Sequence, residues 1–259
     1  MASDKVSEAL SGAETATKAF DPMHQFVIQR LVPIDVMGLD ASFTNSAMFM
    51  VFAVAGISLF TIASMSGRAM VPGRFQSMAE LSYEFVAKMV RDNVGDEGRR
   101  YFPFIFSIFM FVLFLNMLGM LPYSFTVTSH IIITFAMAMV VFLGVTVIGF
   151  IKHGVGFFRF FVPTGVPGFL LPLLVVIEVI SYLTRPISLS VRLFANMMAG
   201  HTMIKVFASF VIGMGILGGW APLGFMVAFT GLEILIAFLQ AYVFAILSCI
   251  YLNDALHMH

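Results

Sequence analysis

Charged residues and cysteine are both scarce in this chain of 259 residues, of which 11% are charged and 60% hydrophobic. Cys249 is the single cysteine, which excludes a disulfide within the chain and a metal site built from cysteines. The 14 basic residues balance the 14 acidic ones, so charge gives no reason to expect nucleic-acid binding. No G-x-x-x-x-G-K-[ST] phosphate loop occurs, which excludes nucleotide binding by that device. We expect neither a metal nor a cofactor.

The apolar composition predicts an all-α polytopic membrane protein, because 30 phenylalanines and 20 methionines exceed what a soluble domain of this size buries. No charge interrupts residues 41–67, which suffice for one membrane helix, or residues 101–151, which suffice for two. A turn near Pro122 is expected to join those two. Two longer apolar segments follow residue 168, so the sequence predicts about five membrane segments in an integral membrane domain over 41–259.

Three other regions of the chain are more polar. Residues 1–40 are polar to mixed and are expected outside the membrane, where SEALSGAETATKAF forms either a loose surface helix or a disordered segment. Within 67–100, charges interleave with apolar residues at spacings of three and four, which predicts an amphipathic surface helix over about 73–93. Residues 152–167 are rich in glycine and proline and indicate a loop.

Topology follows from the distribution of lysine and arginine. Six of these residues lie within 67–100, whereas the turns near Pro122 and Gly218 contain none. The positive-inside rule then places 67–100 and 152–167 on the cytoplasmic (or matrix) side. With five spans, we expect the N-terminus outside and the C-terminus inside.

The last two segments are too long to stand upright in a bilayer. Pro186 to Gly215 and Pro222 to Asn253 are 30 and 32 residues, or about 45 and 48 Å as helices, against a hydrocarbon core of about 30 Å. We therefore expect a long helical hairpin over about 168–253, inclined by more than about 40° and hinged at LGGWAP (217–222).

The first of these segments contains arginines at bilayer depth, within RPISLSVRLFANMMAGH. An arginine at that depth costs about 2.5–3.5 kcal/mol, so it indicates function unless its side chain reaches the interface. The interfacial alternative suits Arg185, which precedes Pro186, better than Arg192, which lies two turns further on. One narrow helical face carries Ser181, Arg185, Ser188, Arg192 and Asn196.

Counting outward from a hairpin turn at Gly218 brings polar residues to matching depths. His201 lies 17 residues before the turn and Glu233 lies 15 after it, while Asn196 and Gln240 are each 22 away. We expect His201 and Glu233 within direct or one-water hydrogen-bond reach and interpret the series as a water-accessible proton path. Alternatively, these residues only join the helices by hydrogen bonds. For Asn196 and Gln240, this alternative and the functional interpretation carry equal weight.

Three further polar residues accompany this series. Glu178 lies on the Arg192 side, nearer the cytoplasmic end, and is either part of a second access route or a satisfied interfacial glutamate. Lys205 lies one turn from His201, and Tyr251 shares a face with Glu233 and Gln240. Together with Arg185 and Ser188, the residues Lys205 and Tyr251 are secondary candidates for the site.

RPISLSVRLFANMMAGH and the later GLEILIAFLQAYVFAILSCIYLNDALH resemble subunit a of the F-type ATP synthase, in its mitochondrial and alphaproteobacterial form. DPMHQFVIQRLVPI, LNMLGMLPYSFTVTSHIIIT and KHGVGFFRFFVPTG are also similar to that family. The resemblance implies a non-catalytic, proton-translocating stator subunit that packs against a ring of c subunits, with b-type peripheral-stalk subunits as further partners. It implies an energy-transducing inner membrane, bacterial in preference to mitochondrial.

The resemblance also implies residue roles. The strictly required arginine of the family falls on Arg192, and the half-channel from the periplasm or intermembrane space falls on Asn196, His201, Glu233 and Gln240. The opposite half-channel falls on Glu178. A secondary proton-coupled transporter or antiporter is the alternative from another class, and a membrane scaffold is a third.

Overall fold

The computed structural model describes residues 26–33, 35–36, 39–40, 42–66, 72–121, 124–162 and 169–257, and most of them are helical. The segment SEALSGAETATKAF, expected as a surface helix or as disorder, lies outside these ranges. The α-helices of the described chain are α1 (Asn45–Met65), α2 (Arg74–Val94), α3 (Phe102–Gly119), α4 (Ile131–His153), α5 (Leu171–Gly218) and α6 (Trp220–Leu256).

Short antiparallel strands precede α1, which the sequence analysis did not predict. Arg30–Val32 (β1) pairs with Phe43–Thr44 (β4), and Asp35–Val36 (β2) pairs with Leu39–Asp40 (β3). Asn45 fixes them to the helix, since its side chain donates to the carbonyl of Val27 at 3.2 Å and accepts from the N–H of Gln29 at 3.2 Å. Strands of two or three residues are too short to show the alternation by which strands are recognised.

Five helical segments of the described chain are long and apolar enough to cross a membrane, which confirms the expected number. They are Asn45–Met65, Asp96–Gly119, Ile131–Phe158, Leu171–Gly215 and Trp220–Leu256. Helix α2 is the amphipathic helix expected over about 73–93, and it begins at Arg74 after Pro72 and Gly73.

Two connections, from α3 to α4 and directly after α4, are more ordered than the sequence predicts. The turn between α3 and α4 contains a buried 3₁₀ helix over Val127–Ser129. Residues 154–161, expected as part of a loop, form a second 3₁₀ helix that begins at Gly154, whose φ of 57° suits glycine. The glycines predicted that the helix ends here, but they did not predict the short helix over residues 154–161.

Helices α5 and α6 form the expected hairpin. Their 48 and 37 residues correspond to about 72 and 56 Å, far more than a hydrocarbon core. Helix α5 begins well before Pro186, which lies inside it, and its backbone breaks at Gly215, where φ is 64°. The reversal therefore starts at Gly215, slightly before the expected hinge, and α6 begins at Trp220. The inclination of the hairpin to the membrane stays a prediction.

Helix α6 occupies the centre of the bundle. It packs against α2, α3, α4 and α5, while α1 lies at the periphery against α2 and α3. The shared core consists of fully buried apolar side chains, among them Val86 of α2, Phe109 of α3, Val141 of α4, Leu193 of α5 and Phe244 of α6. This packing fixes which face of α6 is turned toward α5, and thereby where Glu233 lies.

Candidate functional site

His201 of α5 and Glu233 of α6 meet inside the bundle. His201 Nδ1 contacts Glu233 Oε1, as the hairpin count predicts, and Glu233 is only 5% exposed. The carbonyl oxygen of Met197 lies 3.1 Å from Nδ1, and that of Gly119, at the end of α3, lies 2.9 Å from Nε2. Both ring nitrogens of His201 therefore face hydrogen-bond acceptors.

This arrangement determines how many protons the pair holds. A neutral imidazole has one N–H, so it cannot donate from both nitrogens. The contacts are satisfied either by an imidazolium beside a carboxylate or by a neutral imidazole that accepts from a carboxylic acid. Both states contain the same labile proton on different atoms. His201 and Glu233 thus lie close enough for a proton to pass between them.

Gly200 makes the close approach of Glu233 possible. A Cβ atom at Gly200 would lie 2.8 Å from Glu233 Oε1 and 3.1 Å from its Cδ. Real Cβ atoms essentially never lie under 3.0 Å from a non-bonded heavy atom, so a larger residue at position 200 would displace the carboxylate. Glycine at this position thereby sets the distance between α5 and the glutamate.

The connection between α3 and α4 is a polar neighbour of this pair. The carbonyl of Gly119 accepts from Ser124 Oγ at 2.9 Å and Thr126 Oγ1 at 3.2 Å as well as facing His201 Nε2. Several buried polar atoms here make no hydrogen bond with the described residues, and such atoms ordinarily bind water. They are Thr128 Oγ1, Ser129 Oγ and His130 Nε2.

Arg192 has a different environment. It lies near the middle of α5 with its side chain exposed, and it forms no ion pair or hydrogen bond within the described ranges. Ser188, one turn before it, is exposed, and Asn196, one turn after it, is half-buried. Neither neighbour carries a charge that would neutralise the guanidinium.

Arg185 is paired within the chain, a contact that could not be predicted from the sequence, while its interfacial position stays a prediction. Its guanidinium lies 2.9 Å from Asp254 Oδ2 at the end of α6, and only 18% of its side chain is exposed. The same group lies 4.9 Å from the ring centre of Tyr251 and 5.5 Å from that of Tyr182. Asp254 is thus the partner that the sequence analysis missed.

The remaining candidates are spread along the hairpin. Gln240 is buried on the same side of α6 as Glu233, but no hydrogen bond joins it to Asn196, although both lie in the described chain. Glu178, near the start of α5, is half-buried, as is Lys205. The structure therefore unites His201 with Glu233 and Arg185 with Asp254 and Tyr251, and it leaves Arg192 on the surface.

The family model for the ATP synthase A chain matches residues 46–253, which include all of these residues except Asp254. The chain belongs to the ATP synthase A chain family. This confirms the resemblance carried by the motifs and the expected function, that of the proton-translocating stator subunit of an F-type ATP synthase. It places the chain in the proton-channel part of that complex and removes the transporter and scaffold alternatives.

Bacterial relatives in this family are similar over nearly their whole length. The chain is 62% identical to ATP synthase subunit a of Pelagibacter ubique, over 93% of this chain and 99% of that protein. It is 60% identical to ATP synthase subunit a of Parvibaculum lavamentivorans, over 95% of this chain and 98% of that protein. These relatives and the five apolar helices establish a multi-pass membrane protein.

Two contributors to the site left little trace in the sequence. Gly119 acts through its backbone carbonyl, which no side-chain pattern reveals. Asn116 donates to the carbonyl of Ala237, one turn after Glu233, at 3.2 Å and is fully buried. A buried asparagine within an otherwise apolar helix was the available signal for Asn116, because a polar group at that depth needs a partner.

Proposed function

We propose that the outer face of the α5–α6 hairpin is the surface along which a ring of carboxylate-bearing c subunits turns, with Arg192 at its centre. The observation that carries this proposal is the contrast between the two arginines of α5. Arg185 has a carboxylate partner within the chain, whereas Arg192 is exposed and forms no ion pair in the described residues. A guanidinium at bilayer depth needs an acid, and here that acid comes from another subunit.

The α5–α6 hairpin carries small exposed residues that suit such a partner. Ala195 and Ala199 of α5 and Ala228 and Gly231 of α6 are exposed, and a Cβ added at Gly231 would meet no atom within 4 Å. Small side chains let another helix approach closely. The ring helices thus have room to pass the arginine. We place b-type peripheral-stalk subunits on other surfaces of the bundle.

The His201–Glu233 pair is the proton-uptake end of the proposed mechanism. The pair contains one labile proton. The polar connection over 124–130, which joins α3 to α4 at one end of the bundle, lies next to the pair. Asn196 and Gln240 continue the polar series along the hairpin toward Arg192. We assign these four side chains to the half-channel from the outer side.

Glu178 marks the second half-channel. It lies on α5 on the other side of Arg192 from His201, nearer the end where Arg185 meets Asp254. We propose that protons leave past this residue to the cytoplasmic side of a bacterial inner membrane. This orientation puts the N-terminus outside and the C-terminus inside, in agreement with the arginine-rich 67–100 region.

Rotation follows from the energetics of a carboxylate in lipid. A ring carboxylate that receives a proton from the uptake half-channel becomes neutral and can face hydrocarbon without the cost of a buried charge. After nearly a full turn it reaches the second half-channel, where the Arg192 cation favours the charged form and the proton leaves. Arg192 does not itself deprotonate, so it separates the half-channels. Each proton contributes about 2.3 kcal/mol per 100 mV.

The decisive experiment replaces Arg192 with alanine in the whole complex, reconstituted into vesicles. We expect proton-driven ATP synthesis to be abolished while the complex still assembles, with passive proton leakage through the joined half-channels. Arg192→Lys should also fail, because a desolvated lysine can lose its proton. Arg74→Ala, which removes an exposed arginine of α2, is the control and should be normal. Normal ATP-driven acidification by the Arg192→Ala complex would remove Arg192 from the mechanism.

A further inference from the structure

A cavity of about 630 Å³ lies where α2 ends and α3 begins, away from the hairpin face that carries Arg192. Its walls include Tyr83 and Arg91 of α2, Asp96 and Arg99 of the 3₁₀ helix Asp96–Tyr101, and Phe102 and Pro103 of α3. None of these residues belongs to the proposed proton path. The cavity therefore needs a separate explanation.

Two guanidinium groups reach this cavity because the chain turns sharply between them. Gly95 ends α2 with a φ of 78°, and its N–H donates to the carbonyl of Arg91 at 3.0 Å. The reversal places Arg99, four residues later, on the same cavity as Arg91. Glycine at position 95 permits this change of direction, because it tolerates a positive φ.

The cavity carries a net positive charge. Arg91 and Arg99 are exposed, and neither pairs with a carboxylate in the part of the chain that the structure describes. Asp96 is the acid on the cavity wall, so two positive charges face one negative charge. The neighbouring Glu97 pairs with Lys152 instead, on the other side of the connection.

The opposite wall is aromatic and leads into the apolar part of the bundle. The ring of Tyr83 lies 4.7 Å from that of Phe102, which stacks on Phe106 at 5.5 Å. Phe102 and Phe106 belong to a candidate membrane span without charges beyond Tyr101. Tyr83 is 54% exposed, so its ring offers an open apolar surface beside the two arginines. The cavity thus has a cationic end next to the aqueous boundary and an aromatic end next to the hydrocarbon.

We propose that this cavity binds an anionic phospholipid, with the headgroup phosphate between Arg91 and Arg99 and an acyl chain along Tyr83, Phe102 and Phe106. Arginine is suited to phosphate because its planar donors bind two oxygens at once. Basic cavities at the cytoplasmic edge of membrane helices are typical sites for acidic headgroups. A free phosphate ion would fill the cationic end but leave the aromatic wall uncovered. A zwitterionic lipid would bring its own cation toward the two arginines.

The test uses the intact ATP synthase complex, purified in detergent and titrated with phosphatidylglycerol while bound lipid is counted by native mass spectrometry. We expect Arg91→Gln/Arg99→Gln to lose one tightly bound phosphatidylglycerol, with at least a tenfold weaker affinity at that site. Arg91→Lys/Arg99→Lys should retain much of the binding because it keeps both charges. Arg74→Gln removes an arginine of α2 that does not line the cavity, and it should bind like the unchanged complex.

A second measurement needs no variant. Phosphatidylglycerol with a photoactivatable acyl chain should label the unchanged complex at Tyr83, Phe102 or Phe106, and phosphatidylcholine should not compete. Equal phosphatidylglycerol binding in the Gln and control complexes would overturn the proposal. Competition by inorganic phosphate at similar affinity would make this a phosphate site instead. Cross-links from position 83 to another subunit would make it a protein interface.

Discussion

Replacing Gly200 with alanine tests whether the His201–Glu233 pair needs its present geometry. The new Cβ would lie 2.8 Å from Glu233 Oε1, 3.1 Å from Cδ and 3.3 Å from Cγ. Atoms in ordinary contact are about 3.5–4 Å apart, so the carboxylate has to move by roughly 0.5–1 Å. Glu233 is 5% exposed and its Oε1 contacts His201 Nδ1, so we expect this movement to disturb that contact.

The size of the effect follows from the lost contact between His201 Nδ1 and Glu233 Oε1, which we take as comparable to a hydrogen bond to a charged group. A hydrogen bond to a charged group contributes about 1.5–3 kcal/mol, which corresponds to roughly a 10- to 150-fold change in an equilibrium. We therefore expect the substitution to lower the population of the paired state by one to two orders of magnitude. Alanine favours a helix over glycine by about 1 kcal/mol, so a loss of function cannot come from a weaker α5.

The assay is ATP synthesis by reconstituted vesicles under an imposed proton gradient. We expect Gly200→Ala to reduce the rate by about 10- to 100-fold, in line with the loss of the pair. Gly213→Ala is the matched control, because it lies on the same helix and its Cβ would meet no atom within 4 Å. ATP hydrolysis by the detergent-solubilised complex reports assembly and should be similar in both.

One result would refute this reasoning directly. If Gly200→Ala and Gly213→Ala support the same rate of synthesis, the spacing between Gly200 and Glu233 does not limit proton uptake. If the Gly200→Ala complex is slow and also assembles less well, the structure of the variant distinguishes the two causes. An intact contact between His201 and Glu233 in that structure would equally contradict the argument.

Three further predictions concern other contacts. Glu233→Gln should keep the contact with His201 but remove the labile proton, so ATP synthesis by vesicles should slow and its pH profile should change. An unchanged pH profile would exclude Glu233 from the proton path. Asp254→Asn leaves the part-buried Arg185 without its carboxylate, so we expect the free energy of unfolding to fall by about 1–2 kcal/mol, measured as a lower unfolding temperature in detergent. Adding Arg185→Gln to this variant should partly restore the unfolding temperature. Burial against Phe125 lowers the pKa of His130 from its ordinary value of 6.5, so acidification below pH 6.5 should destabilise the α3–α4 connection. His130→Gln should flatten this pH dependence of thermal stability.

Much of the architecture could be predicted from composition and spacing. The charge-free runs identified the membrane helices because a helix that crosses hydrocarbon has to satisfy its backbone internally and present apolar side chains. The alternation of charged and apolar residues after Pro72 located α2 to within a residue or two. Motif resemblance identified the family, which the comparison with relatives confirmed.

The geometry of the site was only partly predictable. The hairpin count brought His201 to Glu233 because the rise of a helix is constant, so equal numbers of residues from a turn reach similar depths. The same count does not determine which faces meet. It placed Asn196 level with Gln240, and the structure shows no hydrogen bond between them.

The sequence by itself determined the membrane class, the family, the long helices and the level of His201 with Glu233 along the hairpin. The helices and this level follow from apolar runs and residue counts along a single helix. Only the tertiary structure decided the pairing of Arg185 with Asp254, the contact of the Gly119 carbonyl with His201 and the cavity that Arg91 shares with Arg99. These contacts join residues through the relative rotation of packed helices or through a turn at a positive φ. That rotation is set by how buried side chains interlock across the whole bundle, which no local stretch of the chain specifies.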